Sequence, residues 1–335
     1  MQLAKILIIF IVFIGLSLIY KKIKMNENTR TNGYYYSMIE KYLLNKDNLG
    51  SSGPLKPILW VYLQNDNIII PEVNSRFWYN FGSRTSTNFN QPYQKLTIQS
   101  IINKCSDDFN ICLIDDSAFN ILIPNWNINL KNTALPLKSH IQSIAITSLL
   151  NAYGGLLVPS SFICLKSLKG VYEEILKDDK ILVAEFNNRV CNEKLTSNVI
   201  PYSIFMGCKP NSRVMQNFNN YLSVLASTDF TMEQDFLGKS NLWLEEQIAM
   251  NQVKCLSGIS IGTQNKDGDA VNIEELLGSS FIDFCPNALG IYIPWNELIN
   301  RVSFQWFVRL SPEQVLKSNT LIGKTLLVNQ CKCCK

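Results

Sequence analysis

Residues 137–168, LKSHIQSIAITSLLNAYGGLLVPSSFICLKSL, constrain this chain more than any other stretch. Ile141, Ile144, Ala145, Leu149 and Ala152 recur at three- and four-residue spacing, which predicts a helix with one apolar face. Ile146 and Leu150 widen that face until the helix is apolar nearly all round, so it is expected to be buried. Gly154 and Gly155 end it, because glycine takes the positive φ of a helix C-cap at little steric cost. Leu156–Val158 then begin a short strand, and Pro159, with no N–H for a ladder, closes it.

A helix, Tyr153-Gly154-Gly155 and a hydrophobic triplet together resemble the core motif of sugar-nucleotide glycosyltransferases of the capsular polysaccharide synthesis and family 32 (DXD sugar-binding) type. The resemblance implies a D-x-D next, whose aspartates hold Mn or Mg against the donor's diphosphate. Here those slots are Pro159 and Ser161. It also implies Asp and Arg ten and seven positions before the tyrosine, where this chain has Ser143 and Ile146. The frame is kept and its charges are replaced.

Other runs extend an α/β pattern. Lys56–Tyr62 (KPILWVY) reads as a first buried strand and resembles the opening strand of the same enzymes, which reaches the nucleotide site. A helix over 91–104 leads to Asn110–Ile114, a core strand ending in Asp115 and Asp116. Ligands collect at the carboxyl ends of strands in such sheets, so these two acids are candidates for a base, a ribose or a metal. The plainer alternative is that one caps the next helix and the other faces water. A helix at 168–176, strands at 180–185 and 203–208 and a helix at 210–226 follow. The order predicts a GT-A-like (Rossmann-like), mostly parallel central sheet flanked by helices, the resemblance covering about residues 56–250.

Glu233 and Asp235 precede an amphipathic helix at 241–251. Either could serve as base for an acceptor hydroxyl, or both could be helix-start acids behind a Thr231 cap. Asp267-x-Asp269 is literally a D-x-D, but it stands in a polar loop, 262–272, and reads as a turn. Residues 290–310 read as firmly packed, and 316–328 as a last helix or strand-like run covering the sheet. His140, the only histidine, is expected on the exposed side of its helix start. No phosphate-binding loop or nucleophile elbow accompanies it.

The domain layout follows. Residues 1–24 hold an apolar run, 3–20, long enough to span a membrane, with a basic flank at Lys21, Lys22 and Lys24. The run is long for a cleaved signal peptide and lacks a small-x-small cleavage site, so an uncleaved anchor is the reading preferred over a signal peptide. Residues 25–55 form a stem, 56–330 the glycosyltransferase-like domain and 331–335 a tail with Cys331, Cys333 and Cys334. The tail thiols suit palmitoylation, a metal or nothing at all. The lysine cluster after the run slightly outweighs Lys5 plus the terminal amine, there is no N-x-[ST] sequon, and nothing demands a disulfide framework, all of which lean towards a cytosolic body. A net charge of +4, with acids and bases interspersed, gives no case for nucleic acid.

Two functions are expected from these residues. One is a membrane-anchored glycosyltransferase moving a sugar from a nucleotide-sugar donor to a glycan or protein acceptor. On this reading Trp60, Asp115, Asp116, Tyr153, Gly154, Gly155 and Ser161 are expected at its donor and Glu233 and Asp235 at its chemistry; no metal ligand is assigned. The other is a catalytically inactive relative that keeps the sheet and its pocket for binding or assembly on a membrane. The anchor, the eroded motif and the Asn- and Ile-rich composition also resemble glycosyltransferase-like proteins of large DNA viruses.

Overall fold

The apolar runs Ile58–Tyr62 (β1), Asn110–Ile114 (β2) and Gly155–Pro159 (β3) lie side by side in a computed structural model of the protein. The structure describes residues 37–44, 56–63, 91–178, 180–187, 199–228 and 233–330. The expected anchor at 3–20, most of the stem, Thr231 and the tail cysteines lie outside them. Among the described residues no helix is long and apolar enough to cross a membrane.

Ile181–Asn187 (β5), Val199–Cys208 (β6) and Val253–Leu256 (β7) complete a six-stranded sheet of order β2-β1-β3-β6-β5-β7. β6 alone runs against the others, so the sheet is mostly parallel, as expected. Phe162–Cys164 (β4) and Gly290–Tyr292 (β8) pair antiparallel in a small second sheet. Strands buried on both faces read as continuous apolar runs, which is why β1, β2 and β3 are visible as such in the sequence.

Alternation along β1 sends Trp60 and Tyr62 to one face and Leu59, Val61 and Leu63 to the other. The first face is covered by Asp116–Leu122 (α2), Leu137–Tyr153 (α3), Arg213–Ala226 (α5) and Glu233–Ala249 (α6). The second is covered by Tyr93–Cys105 (α1), Lys169–Asp178 (α4) and β4. Outside α1 lies a further layer, in which Phe307, Val308, Val315, Ile322 and Leu326 pack with Tyr93 and Leu96. Its last members are helices Pro312–Lys317 (α10) and Leu321–Gln330 (α11), after the short Gly258–Ile261 (α7), Ile273–Leu277 (α8) and Trp295–Asn300 (α9). The run expected at 316–328 is therefore helical and covers α1 instead of the sheet itself. Within the region read as firmly packed, Val302 and Trp306 are exposed.

Part of the expected stem belongs to the body. Ile39 and Leu43 are buried, Leu43 bridges to Cys112, and the Leu44 amide donates to the Ile111 carbonyl at 2.8 Å. This cover blunts the outer edge of β2. β6 is longer than the run 203–208, because Val199–Tyr202 pair with β5 through a bulge between Val183 and Ala184. α6 starts eight residues before the expected helix and takes Glu233 and Asp235 into its first turn. In the second face, the thiols of Cys105 and Cys164 meet at 3.8 Å, both fully covered.

Candidate functional site

β2 and β3 lie on opposite sides of β1, so the chain reverses its winding between β1 and β3. Open α/β sheets bind ligands at such a point, outside the carboxyl ends of the strands. Tyr62, Asp115, Asp116 and Ser161 all stand at this rim.

Asp115 is the N-cap of α2, its Oδ1 accepting from the amides of Ser117 at 2.9 Å and Ala118 at 3.2 Å. That is the capping role expected of one of the pair. Asp116 does not face water, as the alternative had it. It is buried, and its carboxylate accepts from the Tyr62 hydroxyl and from Gln142 Nε2 at 2.8 Å, while Lys138 Nζ lies 2.9 Å away. A buried carboxylate needs such partners, and α3 supplies two of them from its first turns.

Beside this network is a pocket of about 60 Å³ between α3 and the start of α6, lined among others by Tyr62, His140, Gln142, Ser143, Ile146 and Glu233. Ser143 and Ile146 are the two slots where the resembled family carries Asp and Arg. Glu233 reaches the pocket; Asp235, exposed in the same first turn, is not among its lining residues. His140 is not exposed. It is 2% accessible, its ring stacks on Phe236 with centroids 4.0 Å apart, and its Nε2 has no hydrogen-bond partner among the described residues. Burial lowers its pKa, partly offset by the Glu233 carboxylate. The Tyr202 hydroxyl in the same pocket is pushed up to about 12 by burial and by Glu233, and stays neutral.

Tyr153, Gly154 and Gly155 stand at the other end of α3, where it enters β3, and Trp60 lies beside them on β1; none of the four lines the pocket. Trp60 is fully buried, and its indole donates to the Gly154 carbonyl at 2.9 Å. The Tyr153 hydroxyl donates to the Leu122 carbonyl at 2.8 Å. Gly154 (φ 67°) and Gly155 (φ 103°) occupy left-handed backbone, and a Cβ on them would lie 2.5 Å from Pro210 Cδ and 2.3 Å from the Ile58 carbonyl oxygen. These four residues therefore lock α3 to the sheet.

Ser161 is fully buried at the carboxyl end of β3 and its Oγ has no partner among the described residues. Asp267 and Asp269 sit in a turn in which Asn265 Oδ1 accepts both of their amides at 2.9 Å. Among the described residues no three His, Cys, Asp or Glu side chains come together as metal ligands. Asp115 is committed to its cap and Asp116 to Lys138, so the described residues at this rim do not fit a resident Mn or Mg. A larger concavity of about 340 Å³ opens at the amino ends of β5 and β7. Four of its five charges pair with one another (Lys254 with Glu174, Lys180 with Asp178 at 3.6 Å), and it lies on the wrong rim of the sheet for a ligand of this fold class.

No protein-family model and no curated protein matches this sequence. The functional reading therefore rests on the rim itself. His140 is the residue that sequence reasoning misplaced, and a signal was there: a helix apolar nearly all round leaves its polar residues no exposed side.

Proposed function

We propose that this chain is a glycosyltransferase-like protein with a GT-A-like body, tethered to a membrane through residues 3–20, that takes a nucleotide-sugar donor at the carboxyl rim of its sheet and passes the sugar to a glycan or protein acceptor. One observation carries the reading. The polar pocket at the sheet's reversal point is walled by Ser143 and Ile146, the positions at which the resembled enzymes carry their charged pair. The Lys138 ammonium at the first turn of α3, paired with Asp116, would share its charge with the donor's diphosphate in place of a metal ion.

A second reading, an inactive relative kept for binding or assembly, is favoured by a different observation. Asp115 caps α2 and Asp116 is satisfied by Tyr62, Gln142 and Lys138, so both acids already have structural work. Equilibrium dialysis of the full chain in detergent against uridine and guanosine diphosphate sugars, with Mn or with EDTA, separates the two. The enzyme reading expects binding that EDTA leaves intact and that Lys138→Ala weakens by about tenfold, the worth of one charge-assisted hydrogen bond. Failure to bind any donor leaves the second reading.

A further inference from the structure

The pocket between α3 and α6 holds a group that neither the capping nor the packing of this fold uses. His140 Nε2 is buried without a partner among the described residues, although a buried polar atom left unpaired is destabilising and therefore uncommon. Packing alone would be served by an apolar ring against Phe236. Glu233, at the start of α6, lines the same pocket and is near enough to act on the imidazole's charge. The other ionisable groups lining it are the hydroxyls of Tyr62 on β1 and Tyr202 on β6. Lys138, earlier on α3, and Asp116, on α2, are paired with each other.

We propose that His140 is the proton acceptor of this site and that Glu233 is the carboxylate stabilising the imidazolium it becomes. This rests on the glycosyltransferase-like reading, and it replaces a lone carboxylate as base with an imidazole–carboxylate pair. In the step, the acceptor's O–H bond breaks and its proton passes to Nε2. The acceptor oxygen forms a bond to the anomeric carbon of the donor sugar. The bond from that carbon to the diphosphate breaks, and its electron pair leaves on the nucleoside diphosphate. A neutral imidazole suits this task, since a ring already protonated has no lone pair to offer.

His140 is the chain's only histidine, so its ring can be followed without assignment. The full chain, labelled with 15N-histidine and held in detergent, is titrated by NMR. The single imidazole is expected to titrate below the ordinary value of about 6.5, and Glu233→Gln to move its midpoint lower still, while Asp235→Asn leaves it in place. In a transfer assay with a uridine or guanosine diphosphate sugar, His140→Gln is expected to lower kcat by about a hundredfold with KM little changed. It should also remove the acidic limb of the pH–rate profile, which a packing defect alone would not do. Should His140→Gln fail to fold, Glu233→Gln, an exposed change, carries the test through the same pH limb. A ring indifferent to Glu233, or turnover that keeps its pH profile without the imidazole, overturns the inference and leaves the glycosyltransferase-like reading standing. A ring that responds to Glu233 in a chain that binds no donor overturns the reading itself, and the proton-acceptor role with it.

Discussion

Individual residues in this protein are constrained by backbone geometry at one rim of the sheet and by charge at the other. Gly155 combines left-handed backbone with a neighbour 2.3 Å from where a Cβ would stand, and that neighbour is main chain. Gly155→Ala is therefore expected to cost about 3 kcal/mol, from backbone strain and overpacking together, read as a fall in the thermal midpoint. The sequence displayed this constraint openly, because paired glycines directly after a buried helix mark a turn that a side chain would obstruct. His140 was less legible. Periodicity alone set it at an exposed helix start, whereas Phe236 on α6, which stacks on it, comes from a distant part of the chain. Its titration gives a signed prediction. The folded ring binds its proton less readily than the unfolded one, so stability is complete above about pH 6.5 and is lost as pH falls through that value towards the folded pKa. Denaturant titrations at pH 7.5 and 5 should show the loss, and His140→Gln should abolish the difference.

Between elements, the contacts that position the site are few and identifiable. Asn219 on α5 donates through Nδ2 to the Ile144 carbonyl and to the hydroxyls of Thr147 and Ser148, at 2.7–2.9 Å, and so fastens α5 to the middle of α3. Asn219→Leu should cost about 1–3 kcal/mol, since it removes a donor from partly buried acceptors. A fall in denaturant midpoint with an unchanged slope is the expected signature. Strands β1, β2 and β3 were legible because burial on both faces makes them apolar throughout. The reversed direction of β6 was not, because pairing direction leaves no mark on the letters of a buried strand. Nor was the early start of α6: its first turn is polar, and only the apolar spacing from residue 242 onward announced a helix.

Over the whole molecule, the second face of the sheet carries a feature with a consequence for where the chain folds. Cys105 ends α1 and Cys164 ends β4, and folding brings their sulfurs to 3.8 Å while closing them off from solvent. Glutathione disulfide added to the native full chain should therefore leave the pair as thiols, whereas renaturation in the same oxidant should join them. Mass spectrometry of peptides alkylated before digestion distinguishes the two by the loss of two hydrogens. In a glutathione-reduced cytosol the pair is expected to persist as thiols. The oxidation state of this one contact is thus a memory of the compartment in which the polypeptide was made, written at birth and sealed thereafter.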